Sequence, residues 1–261
     1  MISADGRQLE GQWVGPDDVD GDKPVLVFLH EGLGCIALWR DFPDVLCRQF
    51  GLRGFVYSRA GYGGSDACDL PRPVSFMHHE GQVVVGQVLD GAGIKKAILI
   101  GHSDGGSIAL VHSGTDKLGR ISAVVTLAAH VFNEDISVKS IEAAKVAFDE
   151  GDLRKRLEKY HGENVDCAFR GWNDVWLHRD FLNWNIEEFL PGIDVPTLVL
   201  QGADDPYGTQ KQVEAIVGGI GDQAQKHIIA DCGHSPHLEQ AELTRKLIAA
   251  FITLTLDAND S

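Results

Sequence analysis

A chain of 261 residues with 44% hydrophobic and 23% charged positions has room for one sizeable globular core carrying an insertion. Its formal net charge of −15 argues against nucleic acid or an anionic membrane surface as a partner. The five cysteines, Cys35, Cys47, Cys68, Cys167 and Cys232, are odd in number, scattered and without C-x-x-C spacing, so they read as reduced, mostly buried thiols of a cytoplasmic protein rather than a disulfide frame or zinc site.

Residues 1–10 hold two acids, one arginine and no apolar run, so no secretory signal is visible, and no apolar segment is long enough to span a bilayer. Residues 7–14 alternate weakly and predict an antiparallel edge strand, followed by an acidic, turn-rich loop at Gly15-Pro16-Asp17-Asp18 and Asp20-Gly21-Asp22. Val25 to Leu29 is a near-continuous apolar run, the mark of a parallel strand covered on both faces, and it ends in His30-Glu31-Gly32-Leu33-Gly34. A helix over about 39–50, a strand at Gly54 to Tyr57 and the glycine-rich loop Arg59-Ala60-Gly61-Tyr62-Gly63-Gly64-Ser65 come next. A helix from about Phe76 to Ala92 then leads into a buried strand at Ala97 to Ile100. Strands and helices alternating at this spacing predict right-handed parallel crossovers and an open α/β sheet.

After a strand at Ala123 to Ala128 the rhythm breaks. Residues 131 to about 188 carry helical patterns with no apolar strand between them, and hold three of the five tryptophans, Trp172, Trp176 and Trp184. These either seat a helical insertion on the core or line an apolar pocket beneath a lid. The sheet resumes at Thr197 to Leu200, ahead of Gln201-Gly202-Ala203-Asp204-Asp205-Pro206, and again at about 226–229, ahead of Asp231-Cys232-Gly233-His234-Ser235-Pro236-His237. A final amphipathic helix from Leu238 to about Leu254 closes the chain, with residues 257–261 as a frayed tail.

The chemistry concentrates at Gly101-His102-Ser103-Asp104-Gly105-Gly106, a G-x-S-x-G between a strand and a helical pattern. Such a turn needs small residues beside the serine and lifts its hydroxyl above the sheet edge. A serine hydroxyl becomes nucleophilic only with a base in reach and an acid to orient that base. Asp205 and His234 follow the ends of two later strands, and in an open parallel sheet those ends share one rim. Ser103, Asp205 and His234 are therefore expected to meet.

Five motifs in order, HEGLG, RAGYGGSD, GHSDGG, GADD and CGHSPH, span almost the whole chain and resemble a serine hydrolase of the α/β-hydrolase superfamily. The resemblance implies Ser103 as nucleophile, His234 as general base and then acid, and Asp205, by its G-x-x-D spacing from Gly202, as the orienting acid in preference to Asp204. It also implies an oxyanion hole from the backbone N–H of Asp104 and of Gly32, with Leu33 as the next register. Glu31 stands where many relatives have glycine, which brings two acids, Glu31 and Asp104, close to Ser103. Either they satisfy nearby groups or one of them tunes charge at the site. Trp39 and Tyr62 join the three later tryptophans and Glu31 as candidate pocket residues.

Rival readings are weaker. Gly32-Leu33-Gly34-Cys35-Ile36-Ala37 fits a dinucleotide fingerprint, with Arg59 placed to meet a 2′-phosphate, but leaves the serine turn, Asp205 and His234 unexplained. Met77-His78-His79-Glu80 suggests metal ligation, yet adjacent histidines at a helix start diverge. A non-catalytic ligand receptor or interaction module on the same fold is the alternative of another class. The expectation is an α/β-hydrolase fold, with core residues 1–130 and 189–261 and a helical lid at 131–188. The expected reaction cleaves an ester or related acyl bond of a small, largely apolar substrate, with no cofactor or metal. Carbon–carbon bond hydrolysis, lactone hydrolysis, acyl transfer and perhydrolysis stay open, and oligomeric state is unread.

Overall fold

Strands that are apolar at every position need cover on both faces, and two layers of helices supply it. The computed structural model describes residues 1–17 and 23–259. Asp18 of the first expected turn, the acidic turn at Asp20-Gly21-Asp22 and the last two residues of the expected tail lie outside the described residues.

A short hairpin of β1 (Ile2–Ala4) and β2 (Arg7–Leu9) precedes β3 (Gly11–Val14) and β4 (Val25–Leu29). A 3-10 turn at Ile36–Trp39 leads to α1 (Phe42–Phe50), β5 (Gly54–Tyr57), α2 (Phe76–His79), a π-helical turn at Glu80–Val84 and α3 (Val85–Gly91). Then come β6 (Ala97–His102), α4 (Asp104–Thr115) and β7 (Ile121–Leu127). Between β7 and β8 (Thr197–Gly202) lie α5 (Asp135–Asp149), α6 (Leu153–His161), α7 (Val165–Trp176) and 3-10 turns ending at Gly192. The chain finishes with α8 (Gln210–Ile220), β9 (Ala224–Ile229), α9 (Pro236–Glu239) and α10 (Ala241–Asn259).

Among the described residues the main sheet has seven strands in the order β3-β5-β4-β6-β7-β8-β9. The β3–β5 pair is antiparallel and the rest are parallel. Successive strand residues point to opposite faces. Leu26, Phe28, Ile98 and Ile100 therefore pack with Phe42 and Leu46 of α1 and Ile248 and Phe251 of α10. Val27, Leu29 and Leu99 pack with α3, α4 and the inserted helices through Val88, Ile108 and Phe169. Each such side chain contributes about 1.5–3 kcal/mol by leaving water. Parallel register brings the carboxyl ends of β4, β6, β7, β8 and β9 to one edge, which is where the candidate residues sit. No helix among the described residues is long and apolar enough to cross a membrane.

Three expected elements change shape for local reasons. The strand expected over residues 7–14 breaks at Glu10, whose carboxylate accepts hydrogen bonds from Ser58 Oγ at 2.8 Å and Gly64 N–H at 3.0 Å, so its first half peels away into the hairpin. The first expected helix starts at Phe42 because Arg40 takes a positive φ of 54°. The last helix is split at non-helical Gln240, and α10 runs on to Asn259 through positions expected to fray.

Glycine is required where backbones cross beneath Ser103. A Cβ on Gly105 would lie 2.1 Å from Leu29 O, whereas one on Gly218, inside α8, would meet nothing within 4 Å. Gly105→Ala should therefore lower the unfolding free energy from denaturant titration by about 1–3 kcal/mol or more, and Gly218→Ala should raise it by roughly 0.5–1 kcal/mol. Equal midpoints for both variants would contradict this packing.

Candidate active site

The rim is built around a strained turn. Ser103 follows β6 directly and has φ 51° and ψ −120°, a conformation that side-chain-bearing residues rarely adopt. Its N–H donates to Leu127 O at 2.8 Å, and its carbonyl accepts from Gly106 N–H at 2.8 Å and Ser107 N–H at 3.0 Å, which starts α4. A Cβ on Gly101 would lie 2.3 Å from Gly105 O, so the turn closes only with glycine on both sides. The strand, turn and helix read from the motif are present.

His234, in the loop after β9, places Nε2 at 2.9 Å from Ser103 Oγ. Its Nδ1 lies 2.8 Å and 3.0 Å from the two carboxylate oxygens of Asp205, in the loop after β8. Asp205 is buried and accepts a further bond from Tyr207 N–H at 2.9 Å. Burial alone would raise its carboxyl pKa, but the hydrogen bond and charge of His234 outweigh this and hold it below the usual range. Asp204 is exposed and uses its N–H on Cys232 O at 2.9 Å, so it stands apart from His234. A hydroxyl bonded to an imidazole that a buried carboxylate orients can pass its proton to the ring as it attacks an electrophile.

Behind His234 lies a residue that the motif reading passed over. His102 is 2% exposed, donates from Nε2 to His234 O at 2.8 Å, and turns Nδ1 to Glu31 Oε2 at 3.4 Å. Burial disfavours its charged form, but the Glu31 carboxylate more than offsets that and raises its pKa. Glu31, against burial, is held well below the carboxylate range by His102. Its appearance in place of glycine thus has a structural partner. His237 meets the His102 ring edge to face at 4.8 Å and lies tilted against Trp39 at 4.9 Å, and burial followed by the charge of His102 lowers its pKa to about 3. It packs behind the base.

Asp104 is fully buried and accepts a hydrogen bond from Trp176 Nε1 at 3.2 Å. Burial raises its pKa to about 6, against the opposing charge of Arg59. Arg59 donates to the carbonyl oxygens of His30 and, at 3.0 Å, Glu31, which ties down the loop after β4.

A cavity of about 90 Å³ opens over Ser103 and His234. Of the candidate pocket residues it is lined by Glu31, Trp172 and Trp176; Gly32 and Leu33, the candidate oxyanion-hole registers, also line it, as do His130, Ser137, Ile141 and Tyr207, which the sequence did not single out. His130 follows β7, so the same strand-end rule that selects His234 also reaches it. Burial lowers its pKa to about 4. Ser137 and Ile141 face inward from successive turns of α5. Three expected pocket residues need correction. Trp39 is buried against Phe28, Phe42 and His237, because α1 and the 3-10 turn before it cover the opposite sheet face. Tyr62 is buried with its ring against His30 at 4.9 Å and the guanidinium groups of Arg59 and Arg72 at 5.0 and 5.1 Å. Trp184 supports Trp176 from behind, stacking on Phe181 at 5.1 Å.

The rival motifs are put to other uses. A Cβ on Gly32 would lie 2.2 Å from Trp172, and one on Gly34 would lie 2.4 Å from Glu31 Oε2, so this loop is filled from within the protein where a pyrophosphate would need room. Arg59 is likewise occupied. His78 packs on Phe189 at 5.6 Å while His79 Nε2 meets Asp5 at 3.1 Å, and no group of three or more His, Cys, Asp or Glu placed to hold a metal occurs among the described residues.

Burial of Asp104 makes the stability of the fold depend on pH. The folded state keeps a proton that the unfolded chain releases from the ordinary aspartate range upward, so this group costs stability as pH rises toward and past about 6. Asp104→Asn keeps an acceptor for Trp176 and removes the cost. Its unfolding free energy from denaturant titration should match the wild type near pH 4 and exceed it by up to about 3 kcal/mol above roughly pH 7. A difference independent of pH would contradict the assignment.

Comparison with known proteins agrees with this architecture. Residues 26–247 match the model of the Alpha/beta hydrolase family. Over 97% of the chain and 96% of the relative, it is 24% identical to 3-oxoadipate enol-lactonase 1 of Acinetobacter baylyi. In structure it resembles an enol-lactonase from Burkholderia xenovorans LB400, with a TM-score of 0.73, 20% identity and coverage of 96% and 98% of the two chains. An esterase from Exiguobacterium antarcticum aligns with a TM-score of 0.75, 18% identity and coverage of 97% and 98%. With its parallel sheet, its strand–serine–helix turn and a family match over most of its length, the chain belongs to the alpha/beta hydrolase family.

Proposed function

We propose that this protein is a serine hydrolase that cleaves a carboxylic ester, open-chain or closed as a lactone, of a small, largely apolar and uncharged substrate. The observation that carries the reading is the unbroken chain from Ser103 Oγ through His234 to Asp205, at 2.9 Å and 2.8 Å, with Ser103 opening into the cavity. Ser103 Oγ attacks the carbonyl carbon as His234 Nε2 takes its proton, and Asp205 holds the ring with Nδ1–H toward the carboxylate. The oxyanion is met by the N–H of Asp104, first in α4, and by that of Gly32, at about 3 kcal/mol each. His234 then returns the proton to the leaving alkoxide, which gives an acyl-enzyme. Water, deprotonated by the same ring, attacks the acyl carbon and frees Ser103.

Residues 131–188 serve as a cap, since Ser137, Ile141, Trp172 and Trp176 of this span form the wall facing Ser103. Apart from the Ser137 hydroxyl that wall is aromatic and aliphatic, the rim carries the Glu31 carboxylate, and among the described residues no lysine or arginine lines the cavity, which disfavours an anionic substrate. The lactone form of the reading rests on the full-length likeness to an enol-lactonase, because a lactone is an ester in a ring and uses the same steps. A reducing, cytoplasmic setting fits the free thiols and belongs to the same proposal.

The test is a panel of short p-nitrophenyl esters and lactones, with each neutral ester paired with one bearing a carboxylate tail. Wild type should turn over neutral members with higher kcat/KM than their anionic partners, and Ser103→Ala should lose at least about 10⁴-fold in kcat. Turnover that survives Ser103→Ala would overturn the reading, and preference for the anionic esters would overturn the substrate class.

A further inference from the structure

Two cysteines that lie 99 residues apart in sequence meet where the inserted helices rest on the core. Cys68, in the loop after the glycine-rich turn, has its sulfur 2.8 Å from that of Cys167 on α7, and its N–H donates to the Cys167 sulfur at 3.3 Å. Both residues are half-buried, whereas Cys35, Cys47 and Cys232 are buried. Burial raises those three to about 11, 12 and 11, which leaves them as inert thiols.

The surroundings favour a thiolate. Arg72, only 9% exposed, donates from Nε to the Cys68 sulfur at 3.1 Å, gives Nη2 to Ala60 O, and lies over the rings of Tyr62 and Phe76 at 5.1 and 5.5 Å. Among the described residues no carboxylate forms an ion pair with it. The two carboxyl groups whose charges couple to it, Glu80 and Asp104, are each pushed toward neutrality by burial and make no direct contact with it. The anion that this buried guanidinium can face is therefore the sulfur of Cys68. A hydrogen bond from Cys167, and then the charge of Arg72, lower the Cys68 pKa against burial. Two glycines leave the space: a Cβ on Gly61 would lie 2.8 Å from each sulfur, and one on Gly171 of α7 would lie 2.9 Å from Arg72 Nε.

We propose that Cys68 and Cys167 form a peroxide-sensitive redox pair that closes into a disulfide between the core and the inserted helical segment. The Cys68 thiolate attacks one oxygen of a hydroperoxide and the O–O bond breaks. The departing hydroxide or alkoxide takes up a proton, and Cys68 becomes a sulfenic acid, oxidised by two electrons as the peroxide is reduced. The Cys167 sulfur then attacks the Cys68 sulfur, the S–O bond breaks, and water leaves with the Cys167 proton. A dithiol reverses the step and is itself oxidised to a disulfide. Because Cys167 shares α7 with Trp172 and Trp176, the bridge ties the cavity wall to the loop beneath it.

The test uses the full chain, reduced, desalted and exposed to a small excess of hydrogen peroxide. Thiols titrated after denaturation should fall from five to three, two being consumed, with an intact mass lower by two hydrogens. A non-reducing digest should yield one linked pair, Cys68 with Cys167. Dithiothreitol should restore all five thiols, and the oxidised form should melt at a higher temperature. In Cys167→Ser the sulfenic acid should persist on Cys68 and be trapped by dimedone; in Cys68→Ser neither product should form. Five thiols surviving treatment, or linkage spread over Cys35, Cys47 and Cys232, would overturn the proposal on the wild-type chain alone, whatever the folding of the variants. The ester panel does not bear on this result.

Discussion

Backbone crowding beneath Ser103 is the constraint on which the site depends. Gly101, Gly105 and Gly106 let the end of β6, the start of α4 and the carbonyl of Leu29 approach to distances that no side chain would permit. That closeness forces Ser103 to a positive φ, and the hydrogen bonds around it, from its N–H to Leu127 O and from α4 to its carbonyl, hold the turn there. With the serine fixed at the middle of a parallel sheet, the loops after β8 and β9 need only leave their strands on the same edge for Asp205 and His234 to come within reach. The cost of one strained residue is offset by the two core layers.

Charge at the site is sorted by environment. Four buried or half-buried histidines crowd within ring contact, yet their neighbours separate them. His102, with Glu31 against it, favours the charged form, while His130 and His237 are kept neutral by burial. The hydrogen bond from His102 to His234 O then couples the Glu31 loop after β4 to the loop that carries the imidazole facing Ser103. Two carboxyl groups near that serine also diverge: Glu31 stays ionised, and Asp104, with Trp176 as partner and no solvent, titrates far above an ordinary aspartate.

Much of this was legible in the chain. Apolar runs such as Val25 to Leu29 announce strands covered on both faces, and G-x-S-x-G between a strand and a helix announces its turn, because both are local requirements on neighbouring residues. Asp205 and His234 were readable through topology, since residues just past parallel strands share an edge. What escaped depends on contacts between distant segments. Glu10 could not be seen to break an edge strand without knowledge that Ser58 and Gly64 lie beside it. Glu31 reads as an intruder until His102 is found behind it. Aromatic character alone does not say which way a ring faces, so Trp172 and Trp176 reached the cavity while Trp39, Tyr62 and Trp184 went into packing. The cysteines looked scattered for the same reason, and the Cys68–Cys167 contact is created only by the docking of α7.

The most direct test of the central claim is covalent. An alkyl fluorophosphonate reacts with a serine only when a neighbouring base activates it and donors stabilise the developing oxyanion. Incubated with the full chain and mapped by peptide mass spectrometry, it should modify Ser103 alone, at a rate that collapses in His234→Ala. A chain that takes up no label, or takes it up elsewhere or equally well without the imidazole of His234, would contradict the account.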